Sequence, residues 1–347
     1  MTIEYKNVFI EDTYTICGNY ENDGPLSKYF DKKYPKDLYF GEKSWEKAES
    51  HILKESVKNI INKNKLKDQD IDLLISGDLQ NQIAASDYMA RDFDIPFIGI
   101  YEACSTMGEA LSIASTYIDN TKAQKIIVAT SSHNMVSEKQ FRNPTEYGTP
   151  KPKTATFTAT GAVSVLLTNK KTKIKIESST IGKVIDMGIK DANHMGAVMA
   201  PAAGEVIYNH LKDTKRDISY YDLILTGDLG LYGKNILKEY MMTNYNIELK
   251  DNYNDCGVML YDLDKQPVLA GGSGPVCSSL VMFAYIYKEM LKGKYNKVLF
   301  VPTGAIFSPT FTFQKESIPS IANAISMEVT KWWPIFMPLY FVDYYVW

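Results

Sequence analysis

The sequence lacks the features that define several large protein classes. Its net charge is −3, so it has no basic excess with which to displace counterions from nucleic acid. The four Cys residues form no CxxC pair and have no His at ligand spacing, which argues against a zinc site and a disulfide framework. No apolar run approaches bilayer length, and the N-terminus has no apolar signal core. We therefore expect cytoplasmic synthesis and predict no nucleic-acid partner, metal or cofactor.

One motif occurs twice. Residues 72–79 read DLLISGDL and residues 222–229 read DLILTGDL, and an apolar run ending in Gly-Asp indicates a buried strand that stops at a turn. Cys104 and Cys277 each open a helical stretch followed by an apolar strand at equal spacing. The duplication predicts an α/β fold of two pseudo-symmetric half-domains, each with a mixed sheet and helices on both faces. We expect the two Cys helices to be buried side by side between the halves.

We divide the chain into an N-terminal half (1–171), a C-terminal half (172–328) and an aromatic tail (329–347). Within the first half, residues 134–160 contain Pro, Thr and Gly and predict a long insertion loop with a functional or partner-binding role. The tail contains two prolines and an Asp, which suit a bilayer span poorly, although Trp and Tyr favour the membrane interface. A native interfacial segment, a shifted reading frame and an artificial end all stay open for the tail.

Cys104 is the most chemically suggestive residue. It follows a predicted strand at 97–101 and opens a helix rich in small residues. Unpaired N–H groups and the positive dipole end at a helix start lower the pKa of a thiol. The same groups, together with Ser105, could hold a bound carboxylate. The alternative is that Cys104 is a small buried packing residue, the usual role of a free Cys.

Several motifs carry a resemblance to a known family. The duplicated halves and the Cys helix look like the thiolase fold of acyl-condensing enzymes, and the longer motifs are similar to the stage V sporulation protein AD family over about residues 5–328. These motifs are GDL at 77–79, ACST at 103–106, ATSSHN at 129–134, QFRNPTEYG at 140–148, MAPAA at 199–203, NDCG at 254–257 and QKESIP at 314–319.

The resemblance implies a function in spore-forming bacteria. A member of that family is expected to bind dipicolinic acid, alone or with calcium, and to support its movement across the spore inner membrane during sporulation and germination. It also implies a peripheral position at that membrane, other stage V sporulation membrane proteins as partners, and a homodimer as in thiolase relatives.

Catalysis is not predicted. A condensing enzyme needs a His, and an Asn or second His, in the second half of the chain. This chain has Asp228 after the second repeated strand and neither His nor Asn in 270–274. We therefore predict a non-catalytic scaffold whose pocket binds a ligand. Two alternatives remain: an active acyl-transfer or condensing enzyme that uses Cys104, or a docking platform for membrane channel subunits that binds no ligand.

Further ligand contacts are predicted around the end of the strand at 125–130. His133 and Asn134 follow that strand, where ligand-facing side chains are common in parallel sheets; a structural His is the alternative. Arg142 could pair a carboxylate bidentately or form an ion pair with Glu138 or Glu146. Asp228 could approach a cation, although its equivalent Asp78 suggests a shared role in a turn. The predicted ligand-binding residues are Cys104, Ser105, His133, Asn134, Arg142 and Asp228.

The segment 186–201 looks like a loop because it combines Gly and Met residues and ends at a proline. Met195 and Met199 within it could line an apolar wall, although packing in the core is the commoner use of Met.

Overall fold

The computed structural model describes residues 1–141 and 150–330. In these ranges the chain forms a large mixed sheet of thirteen strands and a separate two-stranded sheet. The strands are β1 (Thr2–Glu4), β2 (Phe9–Cys17), β3 (Lys32–Lys33), β4 (Leu73–Gly77), β5 (Phe97–Gly99), β6 (Lys125–Ser132), β7 (Phe157–Thr158), β8 (Gly161–Thr168), β9 (Ile174–Ile181), β10 (Leu223–Thr226), β11 (Tyr253–Asp255), β12 (Gly272–Ser273), β13 (Lys297–Val301), β14 (Thr303–Ala305) and β15 (Ser320–Val329). The helices are α1 (Asn19–Asn22), α2 (Trp45–Lys63), α3 (Ala84–Ala90), α4 (Thr106–Asn120), α5 (Asn134–Phe141), α6 (Met195–Thr214), α7 (Gly230–Tyr245), α8 (Cys256–Met259), α9 (Pro275–Leu280), α10 (Tyr287–Leu291) and α11 (Pro309–Phe313).

The strand order repeats in the two halves of the chain. In the first half the order is β5-β4-β6-β8-β2, and in the second it is β11-β10-β13-β15-β9. In each half the first three strands run parallel and the last two pair antiparallel. The halves meet where β2 pairs with β9, at Phe9 with Lys175 and Ile10 with Ile174. The predicted α/β fold of two pseudo-symmetric halves is confirmed, with the strands of both halves joined in one mixed sheet, while the residue boundaries of the half-domains stay a prediction.

The central strands are covered on both faces. Along β6, Ile126 and Val128 face one hydrophobic cluster while Ile127 faces another, as expected from the two-residue period of a strand. Along β13, alternate residues likewise belong to two clusters. The cluster that β6 and β13 share contains the buried faces of α4 and α9. These two helices therefore form a common central layer, whereas α2 and α6 cover the outer faces.

Close approach in this layer depends on small side chains. A Cβ atom added at Gly108 of α4 would lie 3.1 Å from Cβ of Asn323 and 3.2 Å from Cγ of Pro302. These are residues of the second half, so α4 contacts that half directly.

The outer helix α2 begins where the sequence predicts, with Ser44 Oγ accepting a hydrogen bond from the N–H of Lys47 at 3.4 Å.

Two predicted loops prove to be partly regular. The prediction of a loop over residues 134–160 is wrong in part. Residues 134–141 form α5, at whose start the N–H of Ser137 donates to the carbonyl of His133 at 3.0 Å. Farther along the segment, β7 pairs with β12. The 186–201 prediction is wrong from Met195 onward, because the His194 side chain caps α6 and the helix accommodates Pro201. β15 extends to Val329, the first residue of the proposed tail; residues 331–347 lie outside the described ranges.

Within the described ranges, every helix is too short or too polar to cross a membrane.

Candidate functional site

A cleft opens beside Cys104, between the two halves. It encloses about 560 Å³, a volume that includes its open mouth. Asp228 and Gly274 belong to its lining, and Asp228 is fully buried whereas Cys104 is partly accessible. Large apolar side chains form much of the wall, namely Leu79, Tyr101, Phe141, Met195, Met199 and Phe307, and four hydroxyl residues also line it, namely Ser137, Thr156, Thr158 and Ser273. The cleft thus combines an apolar wall with a single buried carboxyl group among the described lining residues.

A strained turn presents Cys104. Ala103 has φ +50°, a left-handed conformation that is uncommon for residues other than glycine and that occurs often at functional sites. The hydroxyl of Thr106 donates to the Ala103 carbonyl at 2.7 Å and accepts from the N–H of Glu102 at 3.2 Å. Gly304 lies against this turn, because a Cβ atom there would be 2.5 Å from the Glu102 carbonyl oxygen. Local bonds and close packing therefore hold the strained conformation.

Asp228 lies beside Cys104, whose thiol favours the ionised form of the Asp228 carboxyl group. Thr303 Oγ1 donates to Oδ1 at 2.8 Å, and the N–H of Gly274 donates to Oδ2 at 2.9 Å. Burial raises the pKa of Asp228 to about 7, and these donors only partly oppose the effect of burial. The nearby carboxyl of Asp255 contributes to this rise. Asp228 is therefore close to half protonated at neutral pH.

Asp78, the equivalent residue in the first repeat, has a different role. Its carboxylate accepts hydrogen bonds from the N–H groups of Gln80 and Ser86, each at 2.8 Å, and so holds the turn that leads into α3. Burial raises its pKa as well. The expectation of a shared turn role fits Asp78, but Asp228 bonds Thr303 and Gly274 and lines the cleft beside Cys104.

The other predicted ligand residues are differently placed. Ser105 is buried, donates to the Pro302 carbonyl at 3.1 Å and accepts from Asn323 Nδ2 at 3.1 Å. It lies outside the cleft lining. These bonds join the Cys turn to the second half, so the hydroxyl of Ser105 is committed to structure.

His133 and Asn134 also lie outside the cleft lining. His133 is buried, with Nε2 2.8 Å from the Leu38 carbonyl oxygen and Nδ1 accepting from the N–H of Met135 at 3.2 Å. Burial lowers its pKa, which favours the neutral ring that this bonding requires. Asn134 Nδ2 donates to the Thr158 carbonyl at 3.2 Å. Arg142 lies outside the described residues.

Sequence reasoning missed the aromatic wall. Tyr101, Phe141 and Phe307 line the cleft, and no local pattern set them apart from core residues. Phe141 belongs to the QFRNPTEYG motif, and its place in that motif is the sequence signal that could have identified it as a site residue. Met195 and Met199 do line the wall. Among residues 1–141 and 150–330, no three His, Cys, Asp or Glu side chains are grouped so as to hold a metal ion.

Comparison with known protein families shows to which family this chain belongs. The family model described as stage V sporulation protein AD matches residues 1–328. The chain is 45% identical over 322 residues to stage V sporulation protein AD of Bacillus subtilis (strain 168), a match that covers 92% of this chain and 94% of that protein. This chain belongs to the stage V sporulation protein AD family. The family's role is in sporulation.

The fold is shared with condensing enzymes. The structure is similar to 3-oxoacyl-[acyl-carrier-protein] synthase III from Aquifex aeolicus VF5, with a TM-score of 0.53 and 15% identity over 92% of this chain and 99% of that one. It is also similar to a single-substitution variant of OleA from Xanthomonas campestris, with a TM-score of 0.59 and 8% identity over 94% and 98% of the two chains. At these identities the likeness shows a thiolase-like fold.

Proposed function

We propose that the cleft beside Cys104 binds dipicolinic acid without covalent chemistry, and that this binding supports movement of the acid across the spore inner membrane during sporulation and germination. The observation that carries the proposal is the pairing of Cys104 with a buried carboxyl group at the end of an aromatic-lined cleft. Family membership supplies the link to sporulation.

The lining of the cleft suits a small aromatic ligand. Dipicolinic acid is one six-membered ring with two carboxyl groups. Tyr101, Phe141 and Phe307 offer aromatic surface to the ring, and Ser137 and Ser273 also belong to the lining.

Charge favours the calcium chelate over the free dianion. The described lining residues include Asp228 and no Lys or Arg, and burying a dianion beside an ionised carboxylate is costly. The one-to-one chelate of calcium with dipicolinate has no net charge and brings its own ligands to the metal. We therefore propose the chelate as the preferred form above pH 7, with the free acid binding better when Asp228 is protonated.

The Cys104–Asp228 pair favours binding over condensation. In a condensing enzyme the residue near the thiol must take a proton and then stabilise negative charge on the thioester oxygen. An ionised Asp228 could accept the thiol proton, but its charge would oppose both the thiolate and the developing oxyanion. The alternative of an active Cys104 enzyme is thus disfavoured by the sign of this charge.

Calorimetric titration tests the proposal. Dipicolinate should bind the full chain with and without equimolar calcium, and more tightly with calcium at pH 8. Isophthalate is the matched control ligand, because it keeps the two carboxylates but lacks the ring nitrogen that completes the chelate. Calcium should not improve isophthalate binding. If no heat of binding is detected for dipicolinate in either form, the proposal fails.

Transport requires partners beyond this chain. We propose that other stage V sporulation membrane proteins receive the ligand and hold the protein at the membrane surface, and that two copies form a homodimer as in thiolase relatives. Light scattering during size-exclusion chromatography tests the dimer: a mass of one chain at micromolar concentration contradicts it.

A further inference from the structure

Two phenylalanine rings meet across the cleft. Phe141 is the last residue of α5, in the first half, and Phe307 follows β14, in the second half. Their ring centroids are 5.7 Å apart with an interplanar angle of 57°, and both rings line the cleft. The pair therefore bridges the two walls of the cleft that contains Cys104 and Asp228.

The backbone beneath each ring is fixed by hydrogen bonds. Gln140 Nε2 donates to the Leu79 carbonyl at 2.7 Å, and its Oε1 accepts from the N–H of Asn81 at 3.0 Å. This clamp holds the end of α5 against the turn after β4. On the other wall, the N–H of Phe307 bonds the Ala305 carbonyl at 2.8 Å, and the N–H of Ile306 bonds the Pro319 carbonyl at 2.8 Å. The rings are thus presented with little backbone freedom to lose on binding.

We propose that Phe141 and Phe307 make the cleft selective for a flat aromatic ring over a flexible dicarboxylate of the same length. This inference rests on the proposed function and names the residues that would give it ring specificity. A centroid separation of 5.7 Å already corresponds to direct ring contact. A third ring therefore packs against the cleft side of the pair, edge to face, and does not enter between the two.

A flexible aliphatic chain gains less at this position. It has no π face to pair with the Phe rings, and it loses rotational freedom when it is held in one conformation. Glutarate is the matching probe, because three atoms separate its carboxyl groups, as three ring atoms do in dipicolinate. Charge and carboxyl spacing are then nearly constant, and the ring is the main difference.

The test compares both ligands with the wild-type chain and with Phe141→Leu and Phe307→Leu by calorimetry at pH 6. Each variant should weaken dipicolinate about three- to tenfold and change glutarate less than twofold. Phe313→Leu is the matched control, because Phe313 is 76% exposed on α11 and lies outside the cleft lining. It should change neither ligand.

Equal losses for both ligands, or no loss for either, would overturn the inference while leaving the proposed function intact. Failure of the wild-type chain to bind dipicolinate would overturn both. A measurement on the wild-type chain covers the case in which a variant does not fold. With ring-labelled phenylalanine in an otherwise deuterated chain, the ring protons of bound dipicolinate should show nuclear Overhauser effects to Phe ring protons; bound ligand without such effects also overturns the inference.

Discussion

The thiol of Cys104 lies beside the carboxyl group of Asp228, which is buried between the two halves of the fold. This contact joins the turn after β5 to the turn after β10. It gives the cysteine an acidic partner, where an acyl-condensing mechanism requires a group that stabilises negative charge. The pair also places a titratable group in the cleft, so ligand binding should depend on pH.

Asp228→Asn should strengthen binding of free dipicolinate at pH 8 and flatten its pH dependence. The pKa of Asp228 is raised to about 7, so the carboxyl is mostly protonated at pH 6 and mostly ionised at pH 8, where it repels the dianion. Wild-type affinity should fall between these values by no more than about tenfold per pH unit, the limit for one linked proton. Calorimetry at pH 6, 7 and 8 measures this.

Asp78→Asn is the matched control for that experiment. Asp78 holds the corresponding position in the first repeat and is also buried, but it bonds the N–H groups of Gln80 and Ser86 and lies outside the cleft lining. Its pH profile for ligand binding should match that of the wild type. A profile that is unchanged in Asp228→Asn would remove Asp228 from the ligand's surroundings.

Cys104→Ala should leave binding of calcium dipicolinate within about threefold of wild type, because the proposed interaction uses the shape of the cleft and not the nucleophile. The same calorimetric titration measures it. In parallel, wild-type protein incubated with an acyl thioester should show no acyl adduct by mass spectrometry. An adduct at Cys104 that forms and then turns over would establish the enzyme alternative.

The free energy of unfolding should fall as pH rises from 6 to 8. Burial raises the pKa of Glu102 to about 8, well above its value in an unfolded chain, so the native state binds more protons than the unfolded state and loses stability as pH rises through this window. The loss should be about 2 kcal/mol for Glu102 alone. Urea unfolding at pH 6 and 8 measures it, and Glu102→Gln should reduce the loss. Glu239→Gln, at an exposed position on α7, should leave the loss unchanged.

Gly233→Ala should destabilise the fold by about 2–3 kcal/mol, although alanine normally favours a helix over glycine. A Cβ atom at Gly233 would lie 2.6 Å from the Gly196 Cα, so the substitution would push α7 away from α6. Since α6 carries Met195 and Met199 into the cleft, ligand binding should weaken too. Glu239→Ala on the exposed face of α7 is the control in thermal melting; equal melting temperatures for the two variants would contradict the close-contact argument.

Local sequence was sufficient to predict the two repeated strands. The segments 72–79 and 222–229 each combine an apolar run with a terminal Gly-Asp, and both contain central parallel strands, β4 and β10. Burial on two faces makes such strands almost uniformly apolar, so their signal does not depend on distant partners. The helix after Ser44 was predictable for a similar reason, because its cap and its apolar stripe are both local.

The site was less predictable because its contacts are long-range. His133 has the position along the chain that suggests a ligand residue, yet its ring bonds the carbonyl of Leu38, 95 residues earlier. Asp78 and Asp228 share the same local sequence, yet Asp78 bonds its own turn whereas Asp228 bonds Thr303 and Gly274, which are distant in the chain. The aromatic pair Phe141 and Phe307 forms only when two halves of the chain come together. None of these contacts can be predicted from a short stretch of sequence.

The most direct test of the account is protection of Cys104 by ligand. Cys104 is partly accessible, whereas Cys17, Cys256 and Cys277 are buried, so iodoacetamide should alkylate Cys104 first in the native chain, as followed by peptide mass spectrometry. Saturating calcium dipicolinate should slow that alkylation at least about tenfold, and isophthalate with calcium at the same concentrations should slow it less. An unchanged alkylation rate under conditions where calorimetry shows the ligand bound would place dipicolinate elsewhere on the protein and contradict the account.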